Sequence, residues 1–179
     1  MHYLGHYGNL KALRTFTMRF GLDLTRLDVH GQSIIHYAAR RGELGIIKYL
    51  NEFKADCGLD FNAKNNYNMP PVVYAMINQK FYTWIYLYFK MNCTLEESTA
   101  VWCVGEMVKL SPQTEILSVL LQIKELRLQV MNTALAHSIK LGNLPVLKYV
   151  LENCEHSIPE ETLHGLLIQL ETKDVTDKT

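Results

Sequence analysis

The chain has 179 residues, 48% of them apolar and 20% charged, and its 18 Lys and Arg balance 18 Asp and Glu. That length suits one domain with a substantial core, and a formal charge of zero supplies no field to draw in nucleic acid or an anionic membrane. Four scattered cysteines (Cys57, Cys93, Cys103, Cys154) without a Cys-x-x-Cys pair point to reduced thiols in the cytoplasm, the nucleus or both, rather than to a disulfide framework. No basic start followed by an apolar core marks a secretory signal. The most apolar run, Phe81 to Phe89, falls well short of the roughly 20 residues that span a bilayer. Asn92-Cys93-Thr94 matches a glycosylation sequon, a three-residue pattern with little weight and no meaning in the cytosol.

In chain order, the first feature is a repetition. His2-Tyr3 stands six residues before Gly8, as His36-Tyr37 stands six before Gly42. "GNLKALRTF" from Gly8, "GELGIIKYL" from Gly42 and "GNLPVLKYV" from Gly142 share Gly, then Asn or Glu, then Leu, with apolar residues returning at helical spacing. Met1 thereby occupies the position of Ile35, so the first unit lacks its turn and the start of its inner helix. Two explanations stay open: a piece cut from a longer array, or a compact protein that starts abruptly. The first is favoured because terminal repeats normally carry a cap.

The second unit is the clearest. Asp28-Val29-His30-Gly31 reads as a tight turn, with glycine where a positive φ is cheap. Ser33 can cap a helix over 34–41, Gly42 ends it, and a second helix runs over 44–53. Ala38 and Ala39 are small enough for neighbouring helix axes to approach to about 8–10 Å. This pattern resembles the ankyrin repeat, whose motif Asp-x-x-Gly-x-Thr-Pro-Leu-His-x-Ala-Ala, followed after two intervening residues by Gly, is met by Asp28, Gly31, Ser33, Ile35, His36, Ala38, Ala39 and Gly42, with Ile34 in place of its proline. "LDFNAK", Leu59 to Lys64, resembles the inter-repeat segment of that family, reached after a four-residue excess over 54–57.

Later units keep the architecture with less of the motif. From Asn65, Pro71, Val72 and Ala75 stay in register. Asn68 replaces the turn glycine, and asparagine tolerates the left-handed region, while Met76 replaces the second alanine and Gln79 the glycine. Phe81, Trp84 and Tyr88 are expected on a buried face of the outer helix, with Tyr82 and Tyr86 outward. Thr94 with Glu97 suggests a capping box, and Ser111-Pro112 opens the next helix. Asn132 to Asn153 returns to register with Ser138 and Ile139 for the alanine pair. The resemblance therefore implies an all-α ankyrin-repeat solenoid of stacked helix-turn-helix pairs over residues 1–171. Its units are about 1–27, 28–64, 65–93, 94–127 and 128–156, followed by a terminal helix over 158–171 and a polar tail over 172–179.

Catalysis finds no support in the residues. His36 has Ser33 one turn away but no acidic group to orient it, and in ankyrin repeats the matching histidine ties the helix start to neighbouring turns. His2 and His6, four apart, lack a third ligand, so no metal site is expected. No phosphate-binding glycine loop or nucleophile elbow occurs. Glu96-Glu97 and Glu160-Glu161 sit in first helical turns, where carboxylates complement the helix dipole. The chain is thus expected to be neither an enzyme nor a cofactor binder.

What the resemblance implies instead is recognition of a protein or peptide on a concave face and its turn tips. The register puts Tyr3, Tyr37, Tyr74, more loosely Met107, and His137 in one stripe. Arg40, Arg41, Ile77 and Asn78 flank it, and Val29, His30, Gln32, Asn66, Tyr67 and Met69 lie on the turns. Tyrosine offers the large, rigid, half-polar surface that binding hot spots favour. The expected protein is a monomer that neither inserts into membranes nor binds nucleic acid. It is read as the ankyrin segment of a larger scaffold or regulatory protein. The alternative is a complete small inhibitor of a regulatory protein such as a Rel-type transcription factor.

Overall fold

The computed structural model describes residues 1–110 and 114–154, and among these it contains helices and turns but no strand. The helix start expected at Ser111-Pro112, the terminal helix over 158–171 and the polar tail over 172–179 lie outside the described residues. The chain forms two compact units, Met1–Glu96 and Glu97–Thr179.

In the first unit, α1 (His2–His6), α2 (Leu10–Phe20), α3 (Ile34–Arg41), α4 (Leu44–Glu52), the one-turn α5 (Lys54–Cys57), α6 (Pro71–Ile77) and α7 (Phe81–Ile85) follow one another, and α7 continues as a π-helical turn, Tyr86–Lys90. They make two layers. An inner row of α1, α3 and α6 packs side by side, and an outer row of α2, α4 and α7 lies behind it. Each inner helix pairs with the next outer one because the intervening loop is two or three residues long. Ile34, Ile35, Ala38, Ala39, Ile46, Ile47, Leu50, Phe61, Val72 and Trp84 are buried between the layers, and α5 is the four-residue excess seen in the sequence, closed by Gly58 at φ 63°.

Sequence explains the ends of these helices. Gly42 adopts φ 83°, and the Glu43 N–H returns to the Ala38 carbonyl at 2.9 Å, a left-handed C-cap. The next unit builds the same closure without glycine: Gln79 sits at φ 55°, and the Lys80 N–H reaches the Ala75 carbonyl at 2.8 Å. Trp84 and Leu87 fill the core, Tyr88 stacks on Trp84 at 5.6 Å, and Phe81 is only half-buried. Tyr82 stands out in solvent, whereas Tyr86 is half-covered. Thr94 does not cap the following helix. Its N–H and hydroxyl both turn to Asn62 Oδ1, at 2.8 and 3.4 Å.

In the second unit, α8 (Glu97–Leu110) and α10 (Arg127–Leu141) pack side by side, with α9 (Glu115–Leu120) and α11 (Leu144–Cys154) against α10. Ala100, Cys103, Val104, Ile116, Leu120, Met131, Ala134, Leu135 and Val150 make its core. Ser138, at the position of the first motif alanine, is fully buried and its hydroxyl donates to the Leu135 carbonyl at 2.9 Å.

Candidate partner-binding surface

Two consecutive turns of the first unit are built alike. Asp28 Oδ1 accepts the N–H groups of His30 and Gln32 at 2.8 and 2.7 Å, and Asn65 Oδ1 accepts those of Tyr67 and Met69 at 3.0 and 3.1 Å. Each turn needs a left-handed residue, supplied by Gly31 at φ 70° and Asn68 at φ 60°. The tips then join. The Asn66 N–H donates to the His30 carbonyl at 3.0 Å, Asn66 Nδ2 donates to the Val29 carbonyl at 3.2 Å, and the His30 and Tyr67 rings stack at 6.0 Å.

The tyrosines of the inner helices hold these turns. The Tyr37 hydroxyl donates to Asp28 Oδ2 at 2.8 Å, and the Asn65 Nδ2 donates to the Tyr74 hydroxyl at 2.7 Å. That charged hydrogen bond, with some burial, raises the Tyr37 phenol above its ordinary range. Partial burial pushes Asp28 upward, but the bonds it accepts from Gln32, Tyr37 and His30 outweigh it, so its carboxyl stays below the usual value. Arg40 lies over the Tyr74 ring at 4.6 Å, near Tyr37 at 6.0 Å, and donates to Gln32 Oε1 at 3.3 Å.

His36 is fully buried at the centre of this assembly. Its Nδ1 accepts the Ser33 N–H at 3.1 Å and lies 2.9 Å from the Ser33 hydroxyl. The proton therefore belongs on Nε2, which donates to the Met69 carbonyl at 3.1 Å. Burial lowers its pKa from the ordinary 6.5. This histidine joins the start of α3 to the next turn. Among the described residues, no three His, Cys, Asp or Glu side chains converge as metal ligands. Burial also pushes the Cys93 and Cys103 thiols up to about 11 and about 12, which keeps both protonated and unreactive.

Several expected contact residues are placed differently. Tyr74 is only 6% exposed because Arg40 roofs its ring, and Met107 is only 4% exposed because α8 turns that face into the core of the second unit. Neither can serve as an open contact. His137 is half-buried over Gly105, with Nδ1 at 3.0 Å from the Thr133 carbonyl. Asn78 is exposed, and its amide closes α6 through the Tyr74 carbonyl at 2.9 Å. Met69 is half-buried, Tyr37 and Arg40 are half-buried, and His30, Tyr67 and Arg41 are exposed. Sequence reasoning missed Tyr7. It is 68% exposed, stacks on exposed Tyr3 at 6.2 Å, and joins His2, His6 and Tyr37 around a depression of about 310 Å³. Nothing in the repeat motif marks Tyr7, since its position belongs to the variable end of the inner helix.

A family profile described as ankyrin repeat matches residues 30–62. The human ASB11 ankyrin repeat domain has the same fold, with a TM-score of 0.63 at 19% identity over 84% of this chain and 67% of that one. The chain has an ankyrin-repeat fold. A chain from the complex of the predatory endopeptidase Bd0816 of Bdellovibrio bacteriovorus with the immunity protein Bd3460 is similar too, with a TM-score of 0.62 at 19% identity over 84% of this chain and 79% of that one. No curated protein sequence gives a significant match. In and beside the repeat matched at 30–62, Asp28, Ser33, His36 and Tyr37 are occupied in holding turns and helices together, while Val29, His30, Tyr67 and Arg41 face outward.

Proposed function

We propose that this chain is a non-catalytic protein-binding module, and that its partner docks on the first unit. There the joined turn tips (Val29, His30, Tyr67) and the aromatic depression beside Tyr3, Tyr7 and Tyr37 make the contact, with Arg41 at the end of α3 as a charged neighbour. The observation that carries this reading is that large exposed side chains stand on a backbone already locked by hydrogen bonds, with Tyr67 58% exposed on a turn held at both ends. A rigid aromatic surface loses little entropy on binding, which is what makes a hot spot. A chain of similar fold was solved in a complex of an endopeptidase with an immunity protein, which accords with a role in recognition. On this reading the chain is the recognition segment of a scaffold or regulatory protein of the cytoplasm or nucleus.

Affinity capture from lysate, read by mass spectrometry, compares wild type with a Tyr7→Glu/Tyr67→Glu variant whose circular dichroism is unchanged. A protein held by wild type and lost, by tenfold or more, from the variant is the expected result. Identical sets captured by both chains would remove this surface from the reading.

A further inference from the structure

The balanced charge of the whole chain conceals an asymmetry: residues 1–96 carry eleven Lys or Arg against seven Asp or Glu, and residues 97–179 carry seven against eleven. In the first unit the excess is concentrated on the outer layer. Lys11, Arg14 and Arg19 on α2, Lys48 on α4 and Lys90 on the π-helical turn face a single carboxylate on those elements, Glu52. All five cations are exposed, and among the described residues none of them is in an ion pair. Lys48 and Glu52, although one helical turn apart, do not pair.

Two of these cations are positioned by the neighbouring element. The Arg14 guanidinium lies over the ring of Tyr49 on α4 at 5.3 Å, and the Lys48 ammonium lies over the ring of Tyr86, after α7, at 5.8 Å. Each cation thus rests on an aromatic face of the next outer helix, which holds its charge outward at little cost in side-chain entropy. We infer that this outer layer is a second interaction surface, for an extended acidic polypeptide segment laid across α2, α4 and α7. Adjacent packed helices are about 8–10 Å apart and an extended chain advances about 3.3 Å per residue, so carboxylates at every third residue match the spacing of cations on α2, on α4 and on the π-helical turn that continues α7. The tyrosine faces are covered by cations, which leaves them unsuited to stacking nucleic-acid bases. Large exposed apolar side chains occur on α2 (Phe16, Met18, Phe20) and at Tyr82 and Phe89 but not on α4, so the cations alone run through the whole layer.

The test is fluorescence polarisation with a labelled twelve-residue peptide carrying Glu at every third position among Ser and Gly, against the same peptide with Gln. The full chain is expected to bind the Glu peptide alone, at least tenfold more weakly in 300 mM than in 50 mM salt. Arg14→Glu/Lys48→Glu is expected to lose at least tenfold and Arg14→Gln/Lys48→Gln less, with circular dichroism unchanged in both. Equal binding of the two peptides, no binding, or undiminished binding by the charge-reversed chain overturns the inference. So does tighter binding of phosphatidylserine vesicles or poly(U) than of the Glu peptide. Tyr7 and Tyr67 are untouched in these variants, so this result and that of the capture experiment stand or fall separately.

Discussion

His36 illustrates how a residue that looks catalytic can be wholly absorbed by structure. Its two ring nitrogens are used, one by Ser33 and one by the Met69 carbonyl, and burial keeps it neutral. In the unfolded chain the imidazole titrates near its ordinary 6.5, whereas in the folded chain it resists protonation to a lower pH. As pH falls through about 6.5 the unfolded state takes up the proton first, so stability drops toward acid and is fully present above that value. Urea unfolding at pH 7.5 and 5.5 should show a loss for wild type. His36→Gln, which breaks the tie, should be less stable by about 1–3 kcal/mol at pH 7.5 yet lose less between the two pH values. An equal acid loss in both chains would assign the titration to another group.

At the scale of the element, the C-cap of α6 shows what drift from a repeat motif costs. α3 closes on Gly42, and α6 makes the same backbone closure on Gln79 at φ 55°. A residue with a Cβ in the left-handed region is disfavoured by about 1–2 kcal/mol, partly offset by the entropy that glycine would lose on folding. Gln79→Gly should therefore raise stability by about 0.5–1 kcal/mol in denaturant titration, whereas Gly42→Gln should lower it. α5 is the opposite kind of change: four additional residues were accommodated as one helical turn, because Gly58 supplies the left-handed exit.

At the scale of the molecule, each compact unit carries one tryptophan. Trp84 is fully buried in the first, and Trp102 is 43% exposed in the second. The two should be separable by acrylamide quenching. Trp102→Phe is expected to leave a blue-shifted, weakly quenched emission, and Trp84→Phe a red-shifted, strongly quenched one. The single-tryptophan chains then report the unfolding of each unit by itself, and similar quenching of both would contradict the burial of Trp84.

The tie through His36 reaches the Met69 carbonyl 33 residues on and was implied only by the resemblance to the ankyrin repeat. The bounds of α3 and the left-handed turn residues were legible in the sequence by itself. They depend on patterns within about twelve residues: glycine or asparagine where φ is positive, serine where a helix begins, apolar residues at helical spacing. Which tyrosines are free to touch another molecule was decided only by the tertiary structure. Tyr37 and Tyr74 occupy equivalent positions, yet Arg40 of the preceding helix roofs Tyr74, while Tyr37 remains half-open beside Tyr7. The pairing of Arg14 with Tyr49, and of Lys48 with Tyr86, likewise joins residues more than thirty positions apart. Exposure is a property of neighbours brought together by packing, and a local pattern carries no record of them.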